Sequence, residues 1–103
     1  MIITIVALIG LAAQERGAPE SHAALAAYEA CVVAAATRLE RSREAADIIA
    51  AAAVDQCGRE RDVFRRTEAG DDWRYASVLM PGVDERVRRA AQSRVVAIRA
   101  RRP

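Results

Sequence analysis

The sequence has no lysine and a single histidine, His22, so all sixteen basic residues are arginine. The sequence is rich in alanine and arginine and poor in isoleucine and lysine. Such a composition is typical of GC-rich genomes, and we do not assign a function to the absence of lysine. A catalytic histidine needs a positioned partner, and the sequence indicates none for His22. We expect His22 to lie on the surface at the start of a helix.

The sequence also lacks the motifs that carry catalysis or cofactor binding. None of its serines lies in a nucleophile-elbow sequence, and it contains no glycine-rich phosphate loop. The paired acids Asp71–Asp72 and Asp84–Glu85 have the chemistry for hydrolysis or a divalent metal. Both pairs fall at predicted helix starts, however, where capping and the helix dipole account for acids. We predict that the protein is not an enzyme and has no catalytic residue, cofactor or metal site.

The first thirteen residues, MIITIVALIGLAA, form an uncharged apolar run. The run is too short for a membrane-spanning helix, which takes about 20 residues, and it fits a secretory signal peptide that ends in small residues. We predict a signal peptide over residues 1–13, cleaved near Ala12 or Ala13, and one small helical domain over 14–103 in a periplasmic or secreted location. No basic residue precedes the run, so an uncleaved anchor or a buried N-terminal element is the alternative.

The two cysteines, Cys31 and Cys57, become informative in such a location. In an exported chain they predict one intramolecular disulfide. A redox pair would have the spacing Cys-x-x-Cys, a metal site would need two more ligands, and buried free thiols are the remaining alternative. A chain of about 90 residues forms only a modest core, and this one is rich in alanine and has four aromatic residues. A covalent staple would therefore stabilise it.

Helical spacing of the apolar residues predicts an all-α fold built on an antiparallel helical hairpin, with helices over about 20–42 and 45–69. The first helix is predicted to begin near Pro19–Ser21, since proline suits the entry and Ser21 can cap the free N–H groups. Bridged residues in such a hairpin lie about equally far from the turn, and the midpoint of positions 31 and 57 is 44. The turn is therefore predicted at Arg43–Ala45, and Gly70 is predicted to end the second helix.

Two more helices are predicted after the hairpin. A short helix over about 72–80, capped by Asp71 or Asp72, is expected to end at Pro81–Gly82. A third, basic helix over about 83–101 follows it, with acids in its first turn and arginines later, as the helix dipole favours. The apolar stripe of this basic helix consists of Val87, Ala91, Val95 and Ile98.

The stretch from Tyr28-Glu-Ala-Cys31 to Ala-Val-Asp-Gln-Cys57 resembles a type of small exported protein from Gram-negative bacteria. Such proteins have one cysteine in each of two alanine-rich helices, and the resemblance covers roughly residues 20–65. It implies an exported, disulfide-bonded helical hairpin and no particular activity.

Two surfaces are candidate binding sites. Trp73 and Tyr75 form a possible contact patch, because aromatic residues are enriched at binding hot spots; the alternative is that they seal the open end of the hairpin. The second surface is the arginine-rich helix, which has the charge to bind anionic lipid or phosphates unless it is simply a solvated helix of the bundle. Its arginines are Arg86, Arg88, Arg89, Arg94, Arg99, Arg101 and Arg102, and no acid follows Arg86.

From these observations we predict a small exported non-enzymatic helical module that acts through contacts with a protein partner or the cell envelope. The alternative is a binder of anionic surfaces, lipid or another polyanion, through the arginine-rich helix. An exported protein does not meet DNA or RNA, so nucleic acid is not expected as a partner.

Overall fold

The computed structural model describes residues 18–103, so the predicted signal peptide over residues 1–13 lies outside the described residues. The described residues form an all-α fold, which confirms the predicted fold class. The elements are α1 (Pro19–Leu39), a short 3-10 helix (Glu40–Ser42), α2 (Ala46–Gln56), α3 (Gly58–Ala69) and α4 (Trp73–Ala100).

The predicted hairpin is present, with α1 as one arm and α2 and α3 together as the other. Its turn lies where the cysteine positions placed it, over residues 43–45. Arg43 takes the left-handed conformation there, with φ of 66°, and the N–H of Glu44 donates to the Ser42 hydroxyl at 3.4 Å. The helix α4 then packs along both arms, so the fold is a three-armed helical bundle.

The core follows the predicted apolar spacing of each arm. On α1, Tyr28 and Val32 are fully buried, and on α4 the predicted stripe is buried at Val87, Ala91 and Val95, with Ile98 partly buried. Many of the remaining core positions are alanines, which let the helix backbones approach closely but bury little area each. These alanines are Ala35, Ala36, Ala50 and Ala53.

The second arm of the hairpin was predicted as one helix over about 45–69. In the structure it is two helices, α2 and α3. It divides at Cys57, whose φ of −107° and ψ of 29° are not helical. The Cys57 N–H donates to the Val54 carbonyl, and the helix resumes when Arg61 N–H donates to the Cys57 carbonyl. Gly58, a poor helix former, begins the new helix, so the break lies at the disulfide itself.

The predicted helix break at Pro81–Gly82 is wrong. The two predicted helices over 72–80 and 83–101 are one continuous helix, α4, with Pro81 inside it. Proline removes one backbone hydrogen bond, but Pro81 is exposed, so water can reach the carbonyl that is left without a donor. Buried side chains before and after the proline, Met80 and Val87, hold both halves of α4 against the bundle.

Two predicted helix-end residues are confirmed and two predictions are wrong. Gly70, with φ of 56°, follows α3, and the Asp72 carboxylate caps α4 by accepting the Tyr75 N–H at 3.1 Å; both were predicted. α1 begins at Pro19, within the predicted start near Pro19–Ser21, but Ser21 is not its N-cap, because Ser21 lies inside the helix and is buried. The pair Asp84–Glu85 lies in the middle of α4 rather than at a helix start.

Replacement of Gly82 by alanine tests the continuity of α4. Gly82 lies inside the helix, and a Cβ built there meets no atom within 4 Å. Alanine loses less conformational freedom in a helix, so Gly82→Ala should raise the free energy of unfolding by about 0.5–1 kcal/mol. Urea unfolding of the variant and the wild type measures the difference. A destabilised variant would indicate that residue 82 lies in a turn.

Candidate functional site

The Cys31–Cys57 disulfide joins α1 to the junction of α2 and α3. The two Cα atoms are 6.0 Å apart, within the ordinary range for a disulfide. Cys57 is fully buried and Cys31 partly buried. The bond therefore fastens the two arms of the hairpin near the middle of α1.

Glu60 lies beside this disulfide, with its Oε2 atom 3.5 Å from the Cys31 Sγ atom. The three groups lie within 4.8 Å of one another and contain donor types that divalent metals use. Cysteine binds metal as the free thiolate, and the disulfide occupies both sulfurs. In the oxidised protein the cluster therefore acts as a staple with a neighbouring carboxylate.

A polar cluster at Asp84 connects α1, α3 and α4. Asp84 accepts two hydrogen bonds from Arg61, whose Nε and Nη2 atoms each lie 2.8 Å from a carboxylate oxygen. It also accepts the hydroxyl proton of Tyr28, with 2.7 Å between Tyr28 Oη and Asp84 Oδ1. Asp84 was predicted to cap a helix. Instead, its carboxylate links α1, α3 and α4 through hydrogen bonds from Tyr28 and Arg61.

The environment of the cluster shifts the pKa values of its members. Burial opposes ionisation of Asp84, but the hydrogen bonds from Arg61 and Tyr28 outweigh burial and lower its pKa. Burial and the neighbouring Asp84 raise the pKa of the Tyr28 hydroxyl, and the hydrogen bonds to Asp84 raise that of Arg61. All three groups are thus held in their usual charge states, as expected of a structural cluster.

Four of the seven candidate arginines, which lie on α4 or directly after it, form ion pairs. Arg88 and Arg89 both pair with Glu85, one turn earlier, at 2.6 Å and 2.9 Å. Arg102 and Arg99 lie 2.6 Å and 3.6 Å from the carboxylate of Glu40, and Arg99 also donates to the Glu40 carbonyl at 3.1 Å. The side chain of Glu40 is 2% exposed, so this contact fastens the end of α4 to the end of α1.

The other three candidate arginines, Arg86, Arg94 and Arg101, have no ion pair among residues 18–103 and are exposed. They are eight and seven residues apart, close to two helical turns each, and therefore lie along one side of α4. Arg86 also lines a shallow groove between α1 and α4 that includes His22 and Glu29. His22 is exposed, as the sequence predicted.

Trp73 and Tyr75 lie in the first turn of α4 and differ in exposure. Residues two apart in a helix project about 200° apart. Trp73 is 69% exposed and stacks with the guanidinium of Arg74, 5.3 Å from its ring centroid, so it does not seal the bundle. Tyr75 is partly buried, and its hydroxyl donates to Glu68 at 2.7 Å.

Large apolar side chains are exposed at separate places rather than as a group. They lie on three different helices, and scattered apolar residues of this kind are common on monomeric proteins. In the part of the chain that the structure describes, they are Ile48, Val63, Trp73, Val78 and Val96. Charge therefore distinguishes the surface more clearly than apolar area does.

None of the described helices is both long enough and apolar enough to cross a membrane. The chain as a whole matches no family model, no curated protein and no solved structure. The resemblance to small exported helical proteins therefore stays a prediction, and functional proposals depend on the chemistry of this chain itself.

Proposed function

We propose that this protein acts in the periplasm or after secretion, as a small non-enzymatic helical module that works through contacts with a protein partner or the cell envelope. The Cys31–Cys57 disulfide is the observation that carries the proposal. Disulfides form and persist in oxidising compartments, whereas cytosolic thiols are kept reduced. The uncharged apolar run at residues 1–13 supports the same location, because it fits a signal peptide.

Structural contacts, rather than catalysis, explain why polar groups lie close together among the described residues. Both cysteine sulfurs are in the disulfide, and both oxygens of Asp84 already accept hydrogen bonds. His22 is exposed at the start of α1, without the positioned partner that a general base needs. The arrangement favours a rigid scaffold that presents a charged surface.

Fractionation of the native host with thiol trapping tests the proposal. We expect the protein in the periplasmic fraction or the medium, and unreactive towards maleimide until it is denatured and reduced, because both cysteines are bonded. A cytosolic dehydrogenase and a periplasmic disulfide-bonded protein of the same cells serve as fractionation controls. Recovery in the cytosol with two reactive thiols would contradict the proposal.

A further inference from the structure

The fold brings two arginine groups that are distant in the sequence to the same end of the bundle, which we term the basic end. It consists of residues 38–47, where α1 meets α2, and residues 94–102 at the end of α4. The contacts of Arg99 and Arg102 with Glu40 bring the two segments together across separations of 59 and 62 residues. The arginines of the basic end are Arg38, Arg41, Arg43, Arg94, Arg99, Arg101 and Arg102.

We propose that the basic end binds an anionic membrane surface through the phosphates of lipid headgroups. The inference rests on the function proposed above and gives the contact module a partner of defined chemistry. Guanidinium groups suit this role, because their planar donors bind phosphate oxygens in pairs and stay charged at all physiological pH values.

The net positive charge of the basic end is larger than the charge needed to compensate the dipoles of the helices that end there. Its seven arginines face three acids, Glu40, Glu44 and Asp47, which leaves an excess of four positive charges. The C-termini of α1 and α4 each contribute about half a negative charge, and the N-terminus of α2 about half a positive one. Compensation of the helix dipoles therefore accounts for only a small part of the excess.

Most of this charge is accessible to a partner. Arg38, Arg41, Arg94 and Arg101 are exposed and form no ion pair within residues 18–103. Arg43 is also exposed, at the turn, and Arg99 and Arg102 are occupied with Glu40. Each arginine near an anionic bilayer contributes about 1 kcal/mol, so several together give measurable adsorption.

A membrane fits the basic end better than a nucleic acid does. Proteins that bind single strands stack bases on aromatic side chains, and the basic end includes no aromatic residue. Tyr28 is buried in the core, and the other three aromatic residues lie in α3 or at the start of α4, away from this end. The disulfide also favours a compartment without DNA or RNA.

Vesicle binding of a triple variant tests the proposal. The probe is vesicles of equal parts phosphatidylcholine and phosphatidylglycerol, and the sample is the oxidised protein isolated from its host. In the triple variant Arg38→Gln, Arg41→Gln and Arg101→Gln, no residue that forms an ion pair in the described structure is changed. At about fivefold per arginine, we expect vesicle affinity to fall on the order of 100-fold.

The matched control removes the same charge elsewhere, with Arg65→Gln, Arg66→Gln and Arg74→Gln. These residues lie in α3 and at the start of α4, and Arg74 is about 40 Å along the helix from Arg101, several Debye lengths at physiological salt. The control should lose less than about threefold in affinity. Far-ultraviolet circular dichroism and urea unfolding establish that both variants are folded.

Three outcomes would overturn the proposal: no adsorption to phosphatidylglycerol vesicles at low salt, equal loss in the test and control variants, or tighter binding to an oligonucleotide than to vesicles. Adsorption to phosphatidylcholine alone, insensitive to salt, would also contradict it, since it would indicate apolar insertion. These results are separate from the test of the proposed function. A periplasmic, disulfide-bonded protein that does not bind anionic vesicles would contradict the membrane proposal but not the proposed function.

Discussion

Reduction of the Cys31–Cys57 disulfide is expected to lower the free energy of unfolding by about 3.5 kcal/mol, the loss that chain entropy gives for a loop of this length. The bond closes a loop between residues 26 positions apart. Much of the core around it is alanine, which contributes little burial per residue. The loss is therefore a large share of the stability of a domain this small, which is typically about 5–15 kcal/mol.

Urea unfolding with and without a phosphine reductant measures this loss. The matched control is the double variant Cys31→Ala and Cys57→Ala, whose stability should be low and independent of the reductant. Alanine avoids a polar hydroxyl at position 57, where the side chain is fully buried. A change below about 1 kcal/mol on reduction of the wild type would show that packing alone holds the hairpin and that the staple adds little.

Replacement of Asp84 by alanine is the second large effect. It removes the acceptor of three hydrogen bonds, two from Arg61 and one from Tyr28, and leaves the partly exposed guanidinium of Arg61 and the hydroxyl of the buried Tyr28 without that partner. Hydrogen bonds to charged groups are worth about 1.5–3 kcal/mol each. Because water can reach the Arg61 guanidinium and take the place of part of this bonding, we expect a loss of about 3 kcal/mol. Urea unfolding measures it.

Two control variants separate the parts of this cluster. Tyr28→Phe removes one hydrogen bond and keeps the Arg61–Asp84 pair, so it should cost about 1 kcal/mol. Asp62→Ala breaks the ion pairs with Arg65 and Arg66 within one surface helix, and such exposed pairs contribute little. An Asp84 variant no less stable than the Asp62 variant would show that the cluster does not hold α1, α3 and α4 together.

The lowered pKa of Asp84 also predicts a pH dependence. A carboxyl whose pKa is lower in the folded than in the unfolded state adds stability that is present above its unfolded pKa of about 3.9 and lost as pH falls through the folded pKa. The difference in unfolding free energy between the wild type and Asp84→Asn should therefore be largest at neutral pH and shrink in acid. A difference unchanged down to about pH 2 would contradict this assignment.

The sequence predicted the parts of the fold that depend on neighbouring residues. Periodic apolar positions gave the arms of the bundle, and the equal distances of Cys31 and Cys57 from a turn gave its position at residues 43–45. Proline and glycine at positions 81 and 82 favour a helix break locally, and neighbouring residues alone do not show the packing on either side. Burial of Met80 and Val87 overrides that preference in the folded chain.

The candidate binding surface needed the tertiary structure. In the sequence, the seven arginines after position 85 look equivalent and unopposed by acids. In the bundle, Glu85 and Glu40 engage four of them, while Arg38 and Arg41 from the other arm join the exposed ones. This grouping depends on contacts between residues about 60 positions apart in the sequence, and no periodic pattern in the sequence predicts such contacts.

The intact mass of the protein isolated from its native host, before and after reduction and alkylation, tests the central claim of an exported, stapled bundle. We predict a chain that lacks residues 1–12 or 1–13 and has a mass about 2 Da below the reduced form, because one disulfide removes two hydrogens. No thiol should react before reduction and two should react after it, at Cys31 and Cys57. An unprocessed chain that begins at Met1 and has two alkylatable thiols would contradict both the location and the staple.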